Sequence, residues 1–299
     1  MAHTAFTTTT RGLQYGTPPM LLFEQAKKHG IWNPSEIDLT RDRQDWEKLS
    51  RDEKDFLLRL TALFVAGEEA VTLDLLPMIQ VIANEGRTEE HLYLTSFLFE
   101  EAKHVDFFSR ILREVCDAPP DLTHYQSPSF KIIIYQALPN ALQALRTDPS
   151  PEAQARAACL YNMIVEGMLA ETGYHGYYTV IDRFNILPGI REGIGRVRLD
   201  ESRHIAYGVY LLSRLMTSDP SLWDEVEMTM NALYTPALGV ISDIFSFYTP
   251  APFGILHEEF SAFGTAQFQK RLDRIRKAQN QSQHEIDSET EAFIQANDA

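Results

Sequence analysis

Two short patterns repeat along this chain, and both carry metal-ligating groups. Glu101-Ala102-Lys103-His104 and Glu201-Ser202-Arg203-His204 each place a Glu and a His three residues apart, on one helical face. Each is preceded by a Glu set among apolar residues: Glu68 lies 33 residues before Glu101, and Glu166 lies 35 before Glu201. One Glu from each of two helices plus Glu-x-x-His from each of two others is the ligand set of a carboxylate-bridged dinuclear metal site in a four-helix bundle. Carboxylate oxygens bridge hard cations and neutral imidazole suits iron and manganese, so the chemistry such a set supports is oxygen chemistry at two ions.

The bare motif is weak, because a chain with 42 acidic residues and 9 histidines supplies Glu-x-x-His pairs by chance. Context carries the weight. Glu68 sits within Leu60-Thr-Ala-Leu-Phe-Val-Ala-Gly-Glu, and Glu166 within Cys159-Leu-Tyr-Asn-Met-Ile-Val-Glu. An ionised carboxylate on so apolar a face is costly unless it is paired or binds metal. The competing account, surface ion pairs with Lys103 and Arg203, suits one motif alone but not four helices sharing the arrangement. Asp200, next to Glu201, is a candidate acceptor for the second N–H of a ligand His; a surface Asp paired with Arg198 or Arg203 is the alternative.

Helices must position these groups, and helical periodicity dominates the chain while strand alternation is scarce. A short helix follows Pro18-Pro19 and ends at Gly30, and Asn33-Pro34 to Thr40 reads as a loop. A long helix starts near Ser50 and runs past Glu68 to about Asn84. The next carries Glu101 and His104 from about Arg87 to Cys116, where Pro119-Pro120 ends the pair. A segment near 129–145 bridges to the second half, Asp148-Pro149-Ser-Pro opens the Glu166 helix, and Pro188 starts the Glu201 helix, which ends before Asp219-Pro220. Further helices occupy about 221–247 and 252–279.

The expectation is an all-α chain folded as one domain over 1–279, followed by a polar, flexible tail over 280–299. No linker divides it, and the two halves of the motif must meet. The net charge of −15 disfavours nucleic acid and anionic membranes as partners. No signal peptide or transmembrane segment is apparent, since the longest apolar stretch, about 231–256, contains Asp243 and three prolines. The two cysteines, Cys116 and Cys159, make no disulfide framework, so a cytoplasmic location is the default.

At these residues the chain resembles the small subunit of class I ribonucleotide reductase and, within that family, its ligand-binding oxidase branch. The likeness spans about 18–280 and is most specific at Gly67-Glu-Glu-Ala-Val-Thr-Leu-Asp-Leu-Leu-Pro77, Glu100-Glu-Ala-Lys-His104 and Asp200-Glu-Ser-Arg-His204. The resemblance implies a homodimeric, ferritin-like four-helix bundle with additional helices and a dinuclear site inside it. It implies manganese held by Glu68, Glu101 and His104, and iron held by Glu166, Glu201 and His204, with di-iron as the other option. It further implies a long-chain fatty acid with its carboxylate on the metals, and an ether cross-link between Val71 and Tyr161 formed on reaction with O2.

Val71 follows Glu68 by three residues and shares its face. Tyr161 precedes Glu166 by five, about 140° around an ideal α-helix, so its role rests on the resemblance, with a π-bulge as the device that would allow its approach. Tyr174, eight residues after Glu166, lies on that residue's face and is a candidate to line the site; core packing is the alternative for both tyrosines. His175 lacks a matching Glu-x-x-His. The tyrosyl-radical position of the reductases, one turn after the first ligand His, is Phe108 here. Three functions follow: an oxidase of a lipid-like or other apolar substrate, a reductase small subunit lacking a tyrosyl radical, or a non-enzymatic metal or fatty-acid binding protein.

Overall fold

A computed structural model describes residues 4–296, with side chains described through Ile294; residues 1–3 and 297–299, the last of these the end of the expected polar tail, lie outside the described residues. Among the described residues every regular element is helical, and the helices have a ferritin-like arrangement. α1 (Pro18–His29) and α2 (Thr40–Lys48) lead into α3 (Arg51–Asp74), which carries Glu68. α4 (Leu76–Asn84) and α5 (Thr88–Arg110) follow, and α5 carries Glu101 and His104. α6 (Pro151–Ala158) runs into a π-helical segment, Cys159–Ala170, and on into α7 (Glu171–Phe184). α8 (Pro188–Ser218) carries Glu201 and His204, and α9 (Trp223–Phe245), α10 (His257–Ala278) and α11 (Gln283–Ala296) complete the order.

α3 lies along α5, α8 lies along the π segment, and α9 and α10 cover the π segment's outer side. The two halves of the repeated motif are thereby turned inward on one another. α3 begins on a capping box: the Ser50 hydroxyl accepts from Glu53 N, and Ser50 N donates to the Glu53 carboxylate at 2.8 Å. It stops at Asp74 instead of continuing to Asn84. Pro77 has no N–H for the Leu73 carbonyl and its ring would strike that turn, so the chain breaks at Leu75 and restarts as α4.

Two elements differ from expectation for tertiary reasons. α2 is almost wholly polar, and what fixes it is the start of α8: the Asp42 carboxylate accepts from Gly189 N at 2.9 Å and Ile190 N at 2.7 Å. It thus satisfies orphan donors of a helix far away in sequence. The tail expected to fray over 280–299 is instead helical over Gln283–Ala296, and it packs on α8 and α1. Ile286, Thr290 and Ile294 recur every four residues and are buried there, and Gln25 Nε2 donates to the Ile294 carbonyl at 2.8 Å. Three apolar-face positions in a polar sequence suffice when a docking surface is already built.

Candidate metal centre

All six expected ligand residues converge in the bundle interior. Glu68, Glu101, His104 and Glu201 bring one ligating atom each within 4.8 Å of one another, and so do Glu101, Glu166, Glu201 and His204. Glu101 and Glu201 belong to both groups, the place of bridging carboxylates. All six are buried, Glu101 and both histidines completely.

Each imidazole aims Nδ1 inward. His104 Nδ1 lies 3.4 Å from Glu68 Oε2 and 3.4 Å from Glu201 Oε1. His204 Nδ1 lies 3.2 Å from Glu101 Oε1 and 3.7 Å from Glu166 Oε1. Both Nδ1 atoms, with Glu101 Oε2, Glu166 Oε1 and Glu201 Oε2, have no hydrogen-bond partner among the described residues. Orphaned buried polar atoms are costly. Five of them on residues of two overlapping ligand groups, all of them metal donors, is the arrangement two cations would satisfy, and the residues therefore fit a dinuclear centre.

The outward ring nitrogens are held by a crossed pair of carboxylates. Asp200, which precedes Glu201, lies 3.2 Å from Nε2 of His104 on the opposite motif. Glu100, which precedes Glu101, lies 2.8 Å from Nε2 of His204. Asp200 thus takes the acceptor role and is fully buried. Glu100 is the residue that sequence reasoning misses, although the signal was there: aligning Glu100-Glu-Ala-Lys-His with Asp200-Glu-Ser-Arg-His puts a carboxylate before the motif in both copies. Lys103 and Arg203 are not surface charges but buried counter-ions. Lys103 Nζ donates to Asp200 at 3.0 Å, and Arg203 Nη2 donates to Glu100 at 2.6 Å. Trp32 Nε1 also donates to Asp200, at 2.8 Å. Burial alone would raise the Asp200 carboxyl, but His104, Arg203 and Lys103 hold it well below the usual range.

Tyr161 lies at the site after all. Its hydroxyl donates to Glu101 Oε1 at 3.1 Å and reaches the Val71 carbonyl at 3.4 Å. The cause is the π-helical register of Cys159–Ala170: hydrogen bonds from i to i+5 stack residues five apart one turn above another, and Tyr161 and Glu166 are five apart. Asn162, in the same segment, donates to Glu166 Oε2 at 2.8 Å. Val71 is buried beside Glu68. Tyr174 is fully buried against Phe64, with ring centroids 5.0 Å apart, and its hydroxyl has no partner among the described residues. Phe108 stacks on the other face of this cluster, 4.8 Å from Phe64. His175 is elsewhere, stacked on Phe263 at 4.2 Å.

A cavity with about 870 Å³ of empty space, its open mouth included, adjoins the cluster between α3, the π segment and α9. Glu68, Glu166 and Glu201 form one end, and the remainder is walled mainly by apolar and aromatic side chains, among them Leu63, Phe64 and Ile241. No helix among the described residues is long and apolar enough to cross a membrane; the apolar stretch near 231–256 is largely α9.

The family model for the ribonucleotide reductase small chain matches residues 17–275. Among solved structures, the R2-like ligand-binding oxidase with aerobically reconstituted Mn/Fe cofactor is similar at 36% identity and a TM-score of 0.89, covering 92% of this chain and 98% of that one. A tyrosine-to-phenylalanine variant of such an oxidase, also with an aerobically reconstituted Mn/Fe cofactor, matches at 37% identity and a TM-score of 0.87, over 91% and 98%. A valine-to-alanine variant with anaerobically reconstituted Mn/Fe cofactor matches at 38% identity and 0.87, over 92% and 100%. The chain belongs to the ribonucleotide reductase small-chain family, in the branch of the R2-like ligand-binding oxidases.

Proposed function

We propose that this protein is an O2-activating oxidase with one manganese and one iron per chain, acting on a lipid-like or other apolar substrate. The observation that carries the reading is the set of five orphaned donor atoms brought together from three helices, with Glu68 of a fourth beside them. Manganese is assigned to Glu68, Glu101 and His104, and iron to Glu166, Glu201 and His204, in keeping with the Mn/Fe cofactor carried by the similar oxidases. Two such ions supply electrons to dioxygen and the oxidising power to break an aliphatic C–H bond.

The chain's own residues do the rest. Asp200 and Glu100 fix both imidazoles with Nδ1 inward and keep them basic. Lys103 and Arg203 balance those carboxylates, so the site's own charge is left for the ions. Phe97, stacked on His204 at 3.6 Å, and the stacked Phe64 and Phe108 keep water from the reacting region. Burial raises the Tyr161 phenol well above its ordinary value, and Glu101 and Glu166 add to the shift, so it holds its proton until oxidation removes it. Tyr161 and the Val71 side chain are the pair proposed to join as an ether. That step removes one hydrogen atom from each, two electrons and two protons in all, with dioxygen as acceptor.

The cavity suits the alkyl chain of a fatty acid whose carboxylate reaches the metal end. Gly67 supports this use, since a Cβ there would meet nothing within 4 Å, and Gly67→Leu should project into the cavity and exclude the lipid. Phe108 has no hydroxyl to oxidise, which leaves of the reductases only the type lacking a tyrosyl radical, and the similarity to ligand-binding oxidases favours the oxidase over that type. A homodimer in the cytoplasm belongs to the same proposal. Metal analysis with electron paramagnetic resonance after loading with both ions in air tests the central assignment. A coupled Mn/Fe signal with one equivalent of each ion is expected, and a chain that binds neither ion would overturn it.

A further inference from the structure

The cavity beside the site has a direction. Along α3 its wall is Phe56, Leu60, Leu63, Phe64, Gly67, Glu68 and Val71, one stripe of the helix. Glu68 and Val71 lie at one end, with Glu166 and Glu201 lining it there as well. Apart from these carboxylates the polar side chain on the lining is Thr172, whose hydroxyl already donates to the Met168 carbonyl at 2.7 Å. An amphiphile therefore finds partners for its polar group only at the Glu68 end. At the other end Phe56 is 2% exposed and is backed by Tyr248, Phe245 and Phe253, with ring centroids 5.8, 6.1 and 6.3 Å away. Halfway, the passage is already tight: a Cβ on Gly176 would come 3.2 Å from the Phe260 ring and 3.7 Å from Leu60 Cδ2.

The length follows from helix geometry. Twelve residues from Glu68 back to Phe56 span about 18 Å of axis. A staggered alkyl chain advances about 1.25 Å per bond, so roughly 14 bonds lie between the carboxylate cluster and the Phe56 ring. We propose that Phe56 is the stop of a chain-length ruler, and that the cavity selects a straight saturated fatty acid of about 14 to 16 carbons, its carboxylate at the Glu68 end and its methyl end against Phe56. The ruler rests on the reading of this cavity as a lipid site.

The test offers the metal-loaded, full-length protein an equimolar ladder of straight saturated fatty acids, from octanoate to eicosanoate, and identifies the retained members by mass spectrometry after extraction. The wild type retains tetradecanoate and hexadecanoate preferentially. Phe56→Leu, which shortens the stop while keeping a core residue, moves the preference roughly two carbons longer. Leu60→Phe, which plugs the passage at about 12 Å, lowers hexadecanoate relative to decanoate about tenfold or more. Because the two substitutions act in opposite directions, failure of one to fold leaves the other decisive. Retention without regard to length, or wild-type profiles in both variants, overturns the ruler while leaving the lipid site standing. A wild type that retains no member of the ladder removes the lipid site and the ruler with it.

Discussion

Glu101 and Glu201 each lie within reach of both candidate ion positions, so losing either carboxylate takes a donor from both. Glu101→Ala and Glu201→Ala should each reduce bound metal from two ions per chain to none after loading and desalting; elemental analysis reads this, and wild-type content in both variants would contradict it. Glu100 and Asp200 act one bond further out. Glu100→Gln and Asp200→Asn keep shape and hydrogen bonding but weaken the hold on His204 and His104, and each should cost roughly 10- to 100-fold in metal affinity. Chelator competition measures the loss, and unchanged affinity in both would mean the crossed carboxylates are structural only. At this scale most of the site is legible in the sequence, because ligand chemistry demands particular residue types at helical spacing. Glu100 is legible only when the two motif copies are aligned, since a Glu beside a ligand Glu otherwise looks like part of an acidic run.

Helix register is the element-scale feature that completes the site. In an ideal α-helix Tyr161 would point away from Glu166; the π segment turns it onto Glu101 and Val71. That register depends on close approach of α8, for a Cβ on Gly208 would lie 2.2 Å from Asn162 Cβ. Gly208→Ala should therefore destabilise the fold by roughly 1–3 kcal/mol and disturb the Asn162 bond to Glu166. Thermal melts read the first effect and chelator competition the second; wild-type values in both would show that the two helices separate at no cost. Periodicity finds the long helices well because their apolar stripes are continuous. It cannot place a π segment, whose residues are those of any buried helix. It also passes over α2 and α11, whose stability comes from Asp42 and from three buried side chains docking on α8 and α1, information that exists only once those helices are assembled.

For the whole molecule the charge balance of the core sets a pH dependence. Burial pushes Glu68 up to about 8 in the metal-free chain, and burial with repulsion from Glu201 drives Glu166 well above the carboxylate range. Burial would lower both imidazoles, but the carboxylates around His104 and His204 raise them well above their ordinary value. A group raised on folding contributes stability that is complete below its unfolded value and lost as pH climbs through its folded value. For Glu68 that window runs from 4.5 to about 8, and the raised histidines extend the loss higher. Glu101 and Asp200 are shifted downward, so they add no slope there. The metal-free protein should thus lose thermal stability as pH rises across the window, and ions that displace these protons should flatten the profile. Melting temperatures of both forms over a pH series decide it; a metal-free profile that rises across the window would contradict the assignment of buried protons to the site.

Peptide mapping of the protein after aerobic loading with manganese and iron reads directly whether this fold assembles an oxygen-activating centre strong enough to attack an aliphatic C–H bond. The segments bearing Val71 and Tyr161 should be recovered joined, lighter by two hydrogens than their sum. They should stay separate in the metal-free and anaerobic samples, and in Tyr161→Phe with its metal content intact. Fully metallated, oxygen-exposed protein that yields only separate peptides would contradict the assembly of such a centre.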